Sequence, residues 1–213
     1  MGEPPPGPAE AFNAGEPSTP RPAASVVLLR RGGKHSDRGT EVLLVQRSHR
    51  ASFMPRAWVF PGGAVDPEDG EGEEGLRACA VRELDEEAGI ALPEGEELVL
   101  FCRWITPEFV KTRFDAWFYL ALAPAHAPPR PDGRETVDAA WFAPRAALEA
   151  SAADELHLAF PTVKQLESLD AFATAEEALA AARGSVVEPV LPKLIGTRDE
   201  PELVLPGDPG YPG

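Results

Sequence analysis

One segment of the chain, EGLRACAVRELDEEAGI (residues 74–90), constrains the fold more than any other. Successive residues of an α-helix advance by about 100°, so an apolar residue at every fourth position builds a stripe along one face. The stripe in this segment consists of Leu76, Ala80, Leu84 and Ala88. Gly89 follows, where many helices end in the left-handed conformation. We therefore expect a helix over about 74–88 that packs its stripe against a sheet.

The rest of the chain supplies the strands for such a sheet. Runs rich in β-branched, leucine and aromatic residues predict strands at 23–31, 40–47, 97–105, 113–123 and 136–143. A polar, glycine-containing turn at 32–39 makes the first two a hairpin. The order of strands, one central helix, more strands and then helices predicts an α/β fold with a mixed sheet.

Helices are predicted again after the last of these strands. One opens at Pro144, a residue that suits a first helical turn, and a second covers 158–172. A third covers 174–183 and begins with Thr174 and Glu177, the spacing of a capping box.

The length of 213 residues suits one domain with extensions. Residues 1–22 are rich in Pro, Gly, Ala and Glu and bury too little apolar surface to offset the entropy of ordering, so they predict a disordered tail. We assign 23–150 to the main domain. The remainder, 151–213, is expected to form helices and an irregular tail packing on that domain.

The charge of the chain narrows the class of partner. Its 35 acidic and 20 basic residues give a formal net charge of −15, which disfavours binding to nucleic acid or to an anionic membrane. No stretch approaches the roughly 18 apolar residues of a membrane helix. The N-terminal residues also lack a secretory pattern, so we expect a cytoplasmic protein. An acidic protein that handles an anionic substrate needs local positive charge, and metal ions are one source.

Three carboxylates share one side of the predicted helix. Around the helix axis, Glu87 lies about 40° from Glu83 in one direction, and Glu86 lies about 60° from Glu83 in the other direction. On an exposed surface such a cluster costs only a few tenths of a kcal/mol, so a solvated acidic face is one interpretation. In a partly buried cleft the cluster needs a cation, and hard oxygen ligands suit Mg²⁺ or Mn²⁺.

The surrounding residues favour the second interpretation. The string R-E-L-x-E-E-x-G-I (82–90), preceded by Glu74 and by Gly62-Gly63, resembles the Nudix box GX5EX7REUXEEXGU, in which U is aliphatic. The resemblance implies the Nudix fold, an α/β/α sandwich whose box forms a loop, a helix and a loop. Residues 64–73 make the box loop longer than the family pattern. This insertion leaves the carboxylate helix in register, and Glu74 is expected in its first turn.

The resemblance also implies the chemistry, a metal-dependent hydrolysis of the diphosphate linkage of a nucleoside diphosphate derivative. Glu83 and Glu87 are then principal ligands of Mg²⁺ or Mn²⁺, Glu86 is a further ligand or a proton acceptor, and the Gly63 carbonyl is a candidate ligand. Arg82 is expected to pair with a box carboxylate and to orient it. Glu135, on the loop before the 136–143 strand, is the alternative general base.

Four arginines are candidates for binding the phosphates of the substrate, because a guanidinium matches phosphate oxygens bidentately. They are Arg47, Arg50, Arg56 and Arg113.

Three stretches narrow the resemblance to one branch of the family. They are RSHRASFMPRAWVFPGGAVDPED (47–69), TPEFVKTRFDAWFYLA (106–121) and AFPT (159–162). They are similar to the peroxisomal coenzyme A diphosphatases of eukaryotes and their bacterial relatives. This implies cleavage of coenzyme A or an acyl derivative into a 4′-phosphopantetheine product and adenosine 3′,5′-bisphosphate.

Other interpretations stay open, because the HxGQ pattern of other coenzyme A diphosphatases is absent. The substrate is alternatively NADH, ADP-ribose, a nucleotide sugar or a dinucleoside polyphosphate. A non-catalytic Nudix-fold binding module is a third interpretation. Many Nudix enzymes are dimers, so a homodimer is a candidate assembly.

Overall fold

The computed structural model describes residues 15–32, 39–51, 53–196 and 201–212. Its ten strands are β1 Arg21–Arg31, β2 Thr40–Arg47, β3 Trp58–Val59, β4 Gly62–Ala64, β5 Val99–Ile105, β6 Phe114–Leu122, β7 Thr136–Phe142, β8 Pro189–Val190, β9 Lys193–Gly196 and β10 Pro201–Val204. Its α-helices are α1 Gly72–Ala88, α2 Pro144–Ala152, α3 Phe160–Leu169 and α4 Ala175–Arg183. A short 3-10 helix, Pro67–Asp69, precedes α1.

Helix α1 confirms the prediction from its apolar stripe. All four stripe residues are buried, and they pack against the sheet. Gly89 ends the helix at φ 62° and ψ 29°, and its N–H donates to the carbonyl of Asp85 at 2.8 Å. The helix begins at Gly72, two residues earlier than predicted, and this places Glu73 and Glu74 in the first turn, where the helix dipole favours acidic residues.

Eight strands form one mixed sheet. Strands β3, β2, β1, β6, β5 and β8 follow one another in that order, while β4 pairs with β1 and β7 pairs with β2. The pairs β1–β6 and β5–β8 are parallel, and the remaining pairs of this sheet are antiparallel.

The sheet carries helices on both faces, which confirms the α/β/α sandwich. Val26 and Leu28 of β1 point to the face covered by α1. Val27 and Leu29 point to the opposite face, where they share a core with apolar residues of α2, α3 and α4. The C-terminal helices therefore complete the same hydrophobic core as the sheet.

The N-terminal boundary differs from the prediction. Strand β1 begins at Arg21 rather than Ala23, because Arg21 and Pro22 extend the parallel ladder with Phe114 and Asp115. Ser18 is also tied to the domain, since its hydroxyl donates to the carbonyl of Lys111 at 2.8 Å. Part of the predicted disordered tail of 1–22 is thus in contact with the domain. Residues 1–14 lie outside the described residues, as do 33–38 of the predicted 32–39 turn.

The C-terminal segment is more regular than predicted. Strands β9 and β10 pair as an antiparallel hairpin, with Leu194 opposite Leu203. Each strand has four residues, too few for the alternation of apolar residues to stand out in the sequence. Across the described ranges, none of the helices has the length and apolarity to cross a bilayer.

Candidate active site

The double glycine of β4 brings the carboxylates of α1 against the backbone. Glu87 is 3% exposed, and its Oε2 accepts a hydrogen bond from the Gly62 N–H at 2.9 Å. A Cβ on Gly63 would lie 2.5 Å from Cδ of Glu83, so no larger residue fits there without movement. The glycines are therefore needed for the close approach of β4 to the carboxylates.

Arg82 connects the carboxylates of α1 to the enlarged box loop. Its guanidinium donates to both carboxylate oxygens of Asp69, with Nε–Oδ1 at 2.9 Å and Nη2–Oδ2 at 2.8 Å. Its Nη1 donates to Glu83 Oε1 at 2.9 Å and to Glu86 Oε2 at 3.0 Å. Arg82 thus pairs with two box carboxylates, as predicted, and Asp69 holds it from the other side.

Asp69 is a site residue that the sequence reasoning missed. Its side chain is 4% exposed, and hydrogen bonding to Arg82 lowers its pKa from the usual 3.8. The available signal within residues 64–73 was the position of Asp66 and Asp69 on either side of Pro67 and Glu68, a spacing typical of a short capped turn. The structure shows that reciprocal cap, since Asp69 Oδ2 also accepts from the Asp66 N–H at 2.9 Å.

Two of the three predicted carboxylates face a common cavity. Glu83 and Glu87 line it together with Gly62 and Gly63. Glu86 is not among the lining residues, and its carboxylate is 60% exposed and turned to Arg82. Glu86 nevertheless lies near Glu83, because the same Nη1 of Arg82 donates to both carboxylates.

Burial strongly affects the ionisation of this pair. It raises the pKa of Glu87 to about 7, against the opposing effects of the Gly62 hydrogen bond and the positive charge of Arg47. Burial also raises the pKa of Glu83, while the hydrogen bond from Arg82 lowers it. An anionic carboxylate in such surroundings needs a cation or hydrogen-bond donors to offset its desolvation.

The donor set fits a hard divalent cation. Carboxylate and carbonyl oxygens are the ligands that Mg²⁺ and Mn²⁺ prefer, and Gly63 lines the cavity beside the two carboxylates. The Gly63 carbonyl accepts a long bond from Cys79 Sγ at 3.6 Å, and Gly63 pairs with Ala24 of β1 in the sheet. Within the described part of the chain, no three acidic, histidine or cysteine side chains are grouped closely enough to hold an ion as they stand.

Glu135 lines the cavity opposite the helix carboxylates. Its carbonyl accepts from the Ser48 N–H at 2.7 Å, and its N–H donates to the Asp132 carboxylate. The negative charge of Glu135 raises the pKa of both Glu83 and Glu87. The next residue, Thr136, donates through Oγ1 to the Glu87 carbonyl at 2.7 Å and so ties this loop to the end of α1.

The four predicted arginines have different places. Arg47 lines the cavity, and its Nε donates to the carbonyl of Phe53 at 3.0 Å. Arg50 and Arg56 are exposed and do not line the cavity. The structure contradicts the prediction for Arg113, whose buried guanidinium donates to the carbonyls of Thr106 and Ser18 and so fastens the N-terminal segment. A cationic lining residue that the prediction missed is Arg21.

The cavity is large and mostly apolar. Its volume is about 1010 Å³, at the upper end of the range for small-molecule sites. Aromatic residues from several elements form much of its wall, namely Phe53, Phe60, Trp104, Phe109, Phe114, Phe118 and Phe160. Residues of β9 and β10 also line it, which was not anticipated for a tail predicted to be irregular.

The sequence is similar to proteins of one family. The family model described as NUDIX domain matches residues 19–162. A Caenorhabditis elegans protein described as a nudix hydrolase is 26% identical over 227 residues, covering 90% of this chain and 74% of its own length. The acyl-coenzyme A diphosphatase NUDT19 of Xenopus laevis is 23% identical over 271 residues, covering 81% of this chain and 71% of its own.

Solved structures agree on the fold. A NUDIX hydrolase from Alicyclobacillus acidocaldarius superposes with a TM-score of 0.68 at 27% identity, covering 76% of this chain and 96% of that one. The region that matches the family model contains the carboxylate helix and the double glycine. The protein is therefore a member of the Nudix hydrolase family, whose enzymes act on diphosphate substrates and generally use a divalent metal.

Proposed function

We propose that the protein hydrolyses the diphosphate bond of coenzyme A or acyl-coenzyme A, with Mg²⁺ or Mn²⁺ as its cofactor. Water adds across the P–O–P linkage, and the products are a 4′-phosphopantetheine compound and adenosine 3′,5′-bisphosphate. One P–O bond forms to the water oxygen, one anhydride P–O bond breaks, and a carboxylate takes the proton of the water. A bound divalent cation neutralises charge on the phosphate oxygens and lowers the pKa of the water.

The observation that carries this proposal is the pair of buried carboxylates at one end of a large apolar cavity. Glu83 and Glu87 would hold the cation, since burial makes them poor anions without one. The Gly63 carbonyl and Glu86 are the further candidate ligands. Likeness to acyl-coenzyme A diphosphatases supports the substrate, and the cavity offers room for an extended one.

Arg82 acts as a positioning residue in this scheme. It donates to Glu83 and is itself held by Asp69, so the carboxylate keeps one orientation. Mutation of a residue that holds a metal ligand in place typically lowers metal affinity or activity by about 10- to 100-fold.

The proton acceptor is assigned to one of two residues. Glu135 faces the cavity, and Glu86 is exposed beside it, so both can exchange protons with solvent. Arg47 would contact a substrate phosphate, because it is a cation in the lining beside Glu87.

The first test is the loss of the carboxylates. We expect Glu83→Gln and Glu87→Gln each to lower kcat by about 100-fold or more, because both remove a metal ligand. Each variant should unfold within about 1 kcal/mol of the wild type, since a neutral amide is easier to bury than a carboxylate. The matched control is Asp85→Asn, which replaces an exposed acidic residue of the same helix. Full activity of either glutamate variant would remove that residue from the site.

The second test identifies the substrate. Coenzyme A, NADH, ADP-ribose and dinucleoside polyphosphates are incubated with enzyme and Mg²⁺, and products are read by mass. The proposal expects adenosine 3′,5′-bisphosphate from coenzyme A, and EDTA should stop its release. Turnover of another nucleotide without that product would replace the coenzyme A assignment.

A second candidate is hydrolysis of another nucleoside diphosphate derivative. Such a compound shares a nucleobase with coenzyme A, and Phe53 and Phe114, 5.4 Å apart in an edge-to-face pair, offer either substrate surfaces on which that base can stack. The same substrate panel separates the two candidates.

The location, partners and assembly of the enzyme are proposed from its charge and its family. The net charge of −15 supports an enzyme that works without nucleic acid or an anionic membrane, and we propose a cytoplasmic location for it. A homodimer is the candidate assembly, and light scattering of the purified protein measures it.

A further inference from the structure

The C-terminal hairpin, formed by β9 and β10, is a wall of the cavity. Leu194 and Ile195 of β9 and Leu203 of β10 line it, as does Pro192 just before β9. We propose that this hairpin is a subsite for an aliphatic acyl chain and makes the enzyme prefer long-chain acyl-coenzyme A to free coenzyme A. This inference rests on the proposed function, because it requires a coenzyme A thioester in the cavity.

The strand order sets the distance between the two ends of the cavity. Glu83 packs on Gly63 of β4, and from β4 the paired strands run β1, β6, β5 and β8. Four interstrand spacings of about 4.8 Å separate β4 from β8, roughly 19 Å in all. The hairpin starts three residues after Val190, the last residue of β8.

The pantetheine arm of coenzyme A matches this span. Its backbone is about as long as four to five amino-acid residues, so it reaches roughly 15 Å when extended. With the diphosphate at Glu83 and Glu87, an arm that crosses the face of the sheet brings the sulfur close to the hairpin. An acyl group on that sulfur then continues along the hairpin wall.

The chemistry of the wall suits an alkyl chain. Among the described residues, the lining from around β5, α3 and the hairpin carries no charged residue and is mostly apolar. It includes Trp104 and Phe160, whose rings meet edge to face at 6.1 Å, together with the hydroxyl residues Thr106 and Thr162. The charged lining residues lie on β1, β2, α1 and the loop before β7: Arg21, Arg47, Glu83, Glu87 and Glu135. A nucleobase at the hairpin would lack charged partners for its polar edge, whereas an alkyl chain needs none.

Leu194 leaves an apolar part of this wall exposed to solvent. Its side chain is 38% exposed although it lines the cavity, so a chain lying on it would remove that surface from water. Each methylene fully buried there would raise affinity about fourfold, from about 0.8 kcal/mol per CH₂.

The hairpin is braced from outside and can act as a fixed wall. The Tyr211 hydroxyl donates to the Leu191 carbonyl at 2.8 Å, and Lys193 Nζ donates to the Pro212 carbonyl at 2.7 Å. Gly210 packs so closely on Ile195 that a Cβ there would lie 3.2 Å from its Cδ1.

The experiment compares Leu194→Gln with Val186→Gln. Val186 is 86% exposed and lies outside the cavity, so it controls for replacing an exposed apolar residue by glutamine. For each protein, kcat/KM is measured with Mg²⁺ for coenzyme A and for its acetyl, hexanoyl and lauroyl thioesters. Binding of coenzyme A and lauroyl-coenzyme A in EDTA is followed by calorimetry, which reads the subsite without turnover.

We expect the wild type to prefer lauroyl-coenzyme A to coenzyme A by about tenfold or more, in kcat/KM and in Kd, with the preference rising along the series. Leu194→Gln should reduce that ratio by about fivefold or more, and Val186→Gln should leave it unchanged. Equal handling of all four compounds, or an unchanged ratio in Leu194→Gln, overturns the acyl subsite while the hydrolase assignment stands. Absence of cleavage of all four overturns the proposed function and this inference with it.

Discussion

Asp69→Asn tests whether the enlarged box loop positions the catalytic carboxylates. Asp69 is nearly buried and makes a bidentate pair with Arg82, whose other nitrogen holds Glu83. Asparagine keeps the shape but replaces one acceptor oxygen by an NH₂ group that faces a guanidinium N–H.

The magnitude follows from the bonds that change. One charge-assisted hydrogen bond is lost and the other is weakened to a neutral acceptor, which costs about 2 kcal/mol of the free energy of unfolding. For a chain of this size that corresponds to a fall in Tm of about 4–8 °C. Loosening Arg82 should also lower kcat/KM by about 10-fold or more, because a second-sphere partner of Glu83 is gone.

The assay is urea denaturation alongside steady-state turnover with titrated Mg²⁺. Glu68→Gln, on the same short 3-10 helix but exposed, is the control for loss of one acidic charge from the loop. A double-mutant cycle with Arg82→Met isolates the pair, and a coupling energy of at least about 1 kcal/mol is expected. If Asp69→Asn matched the control in both unfolding and metal dependence, the positioning role of the loop would be refuted.

The stability difference should depend on pH with a definite sign. Hydrogen bonding to Arg82 holds the pKa of Asp69 below 3.8, so the wild-type carboxylate stabilises the fold at pH above its unfolded-state pKa. That contribution is lost as pH falls through the folded-state pKa, because the protonated acid loses the charged pair. The gap between wild type and Asp69→Asn should therefore be full at about pH 6 and narrow in acid, and a gap that widened in acid would contradict the assignment.

The remaining predictions concern the contacts that hold the carboxylates. Gly63→Ala should lower kcat by about 10-fold or more and destabilise the fold by about 1–3 kcal/mol, because its Cβ would lie 2.5 Å from Cδ of Glu83. Unchanged turnover and thermal unfolding would show that the bend tolerates a side chain. Thr136→Val should cost about 1–3 kcal/mol in chemical denaturation by leaving the Glu87 carbonyl without the hydroxyl bond, whereas Thr136→Ser should retain most of the stability. Equal losses in both variants would point to packing instead.

Local sequence patterns predicted helix α1, its buried face and its C-terminal end. The helical period of α1 put Leu76 and Leu84 in the core and Glu83 and Glu87 beside it, and Gly89 ended the helix as expected. Such features depend on neighbours one turn away, so a single sequence contains the information. The residue types and spacing of residues 82–90 resembled the Nudix box, and the match of the family model over 19–162 confirmed the family.

Tertiary structure decided everything that depends on partners distant in sequence. Arg113 looked like a phosphate ligand but lies under the carbonyls of Thr106 and Ser18, the second of which is 95 residues away. Glu86 is on the expected side of α1, yet it does not line the cavity and its carboxylate accepts from Arg82, which Asp69 of the loop also holds. Side-chain direction is set by the best available partner, and spacing along one helix does not reveal partners elsewhere.

The sequence by itself determined the carboxylate helix and its double-glycine neighbour, because helical periodicity and backbone steric limits act over a few residues. Only the folded chain decided which charges reach the cavity and that a C-terminal hairpin closes it. Leu194 and Leu203 pair across two four-residue strands, and they line the same cavity as Trp104 and Phe160, which are distant in sequence. The energy of those contacts comes from burial of apolar surface, which is non-directional and leaves little trace in local sequence.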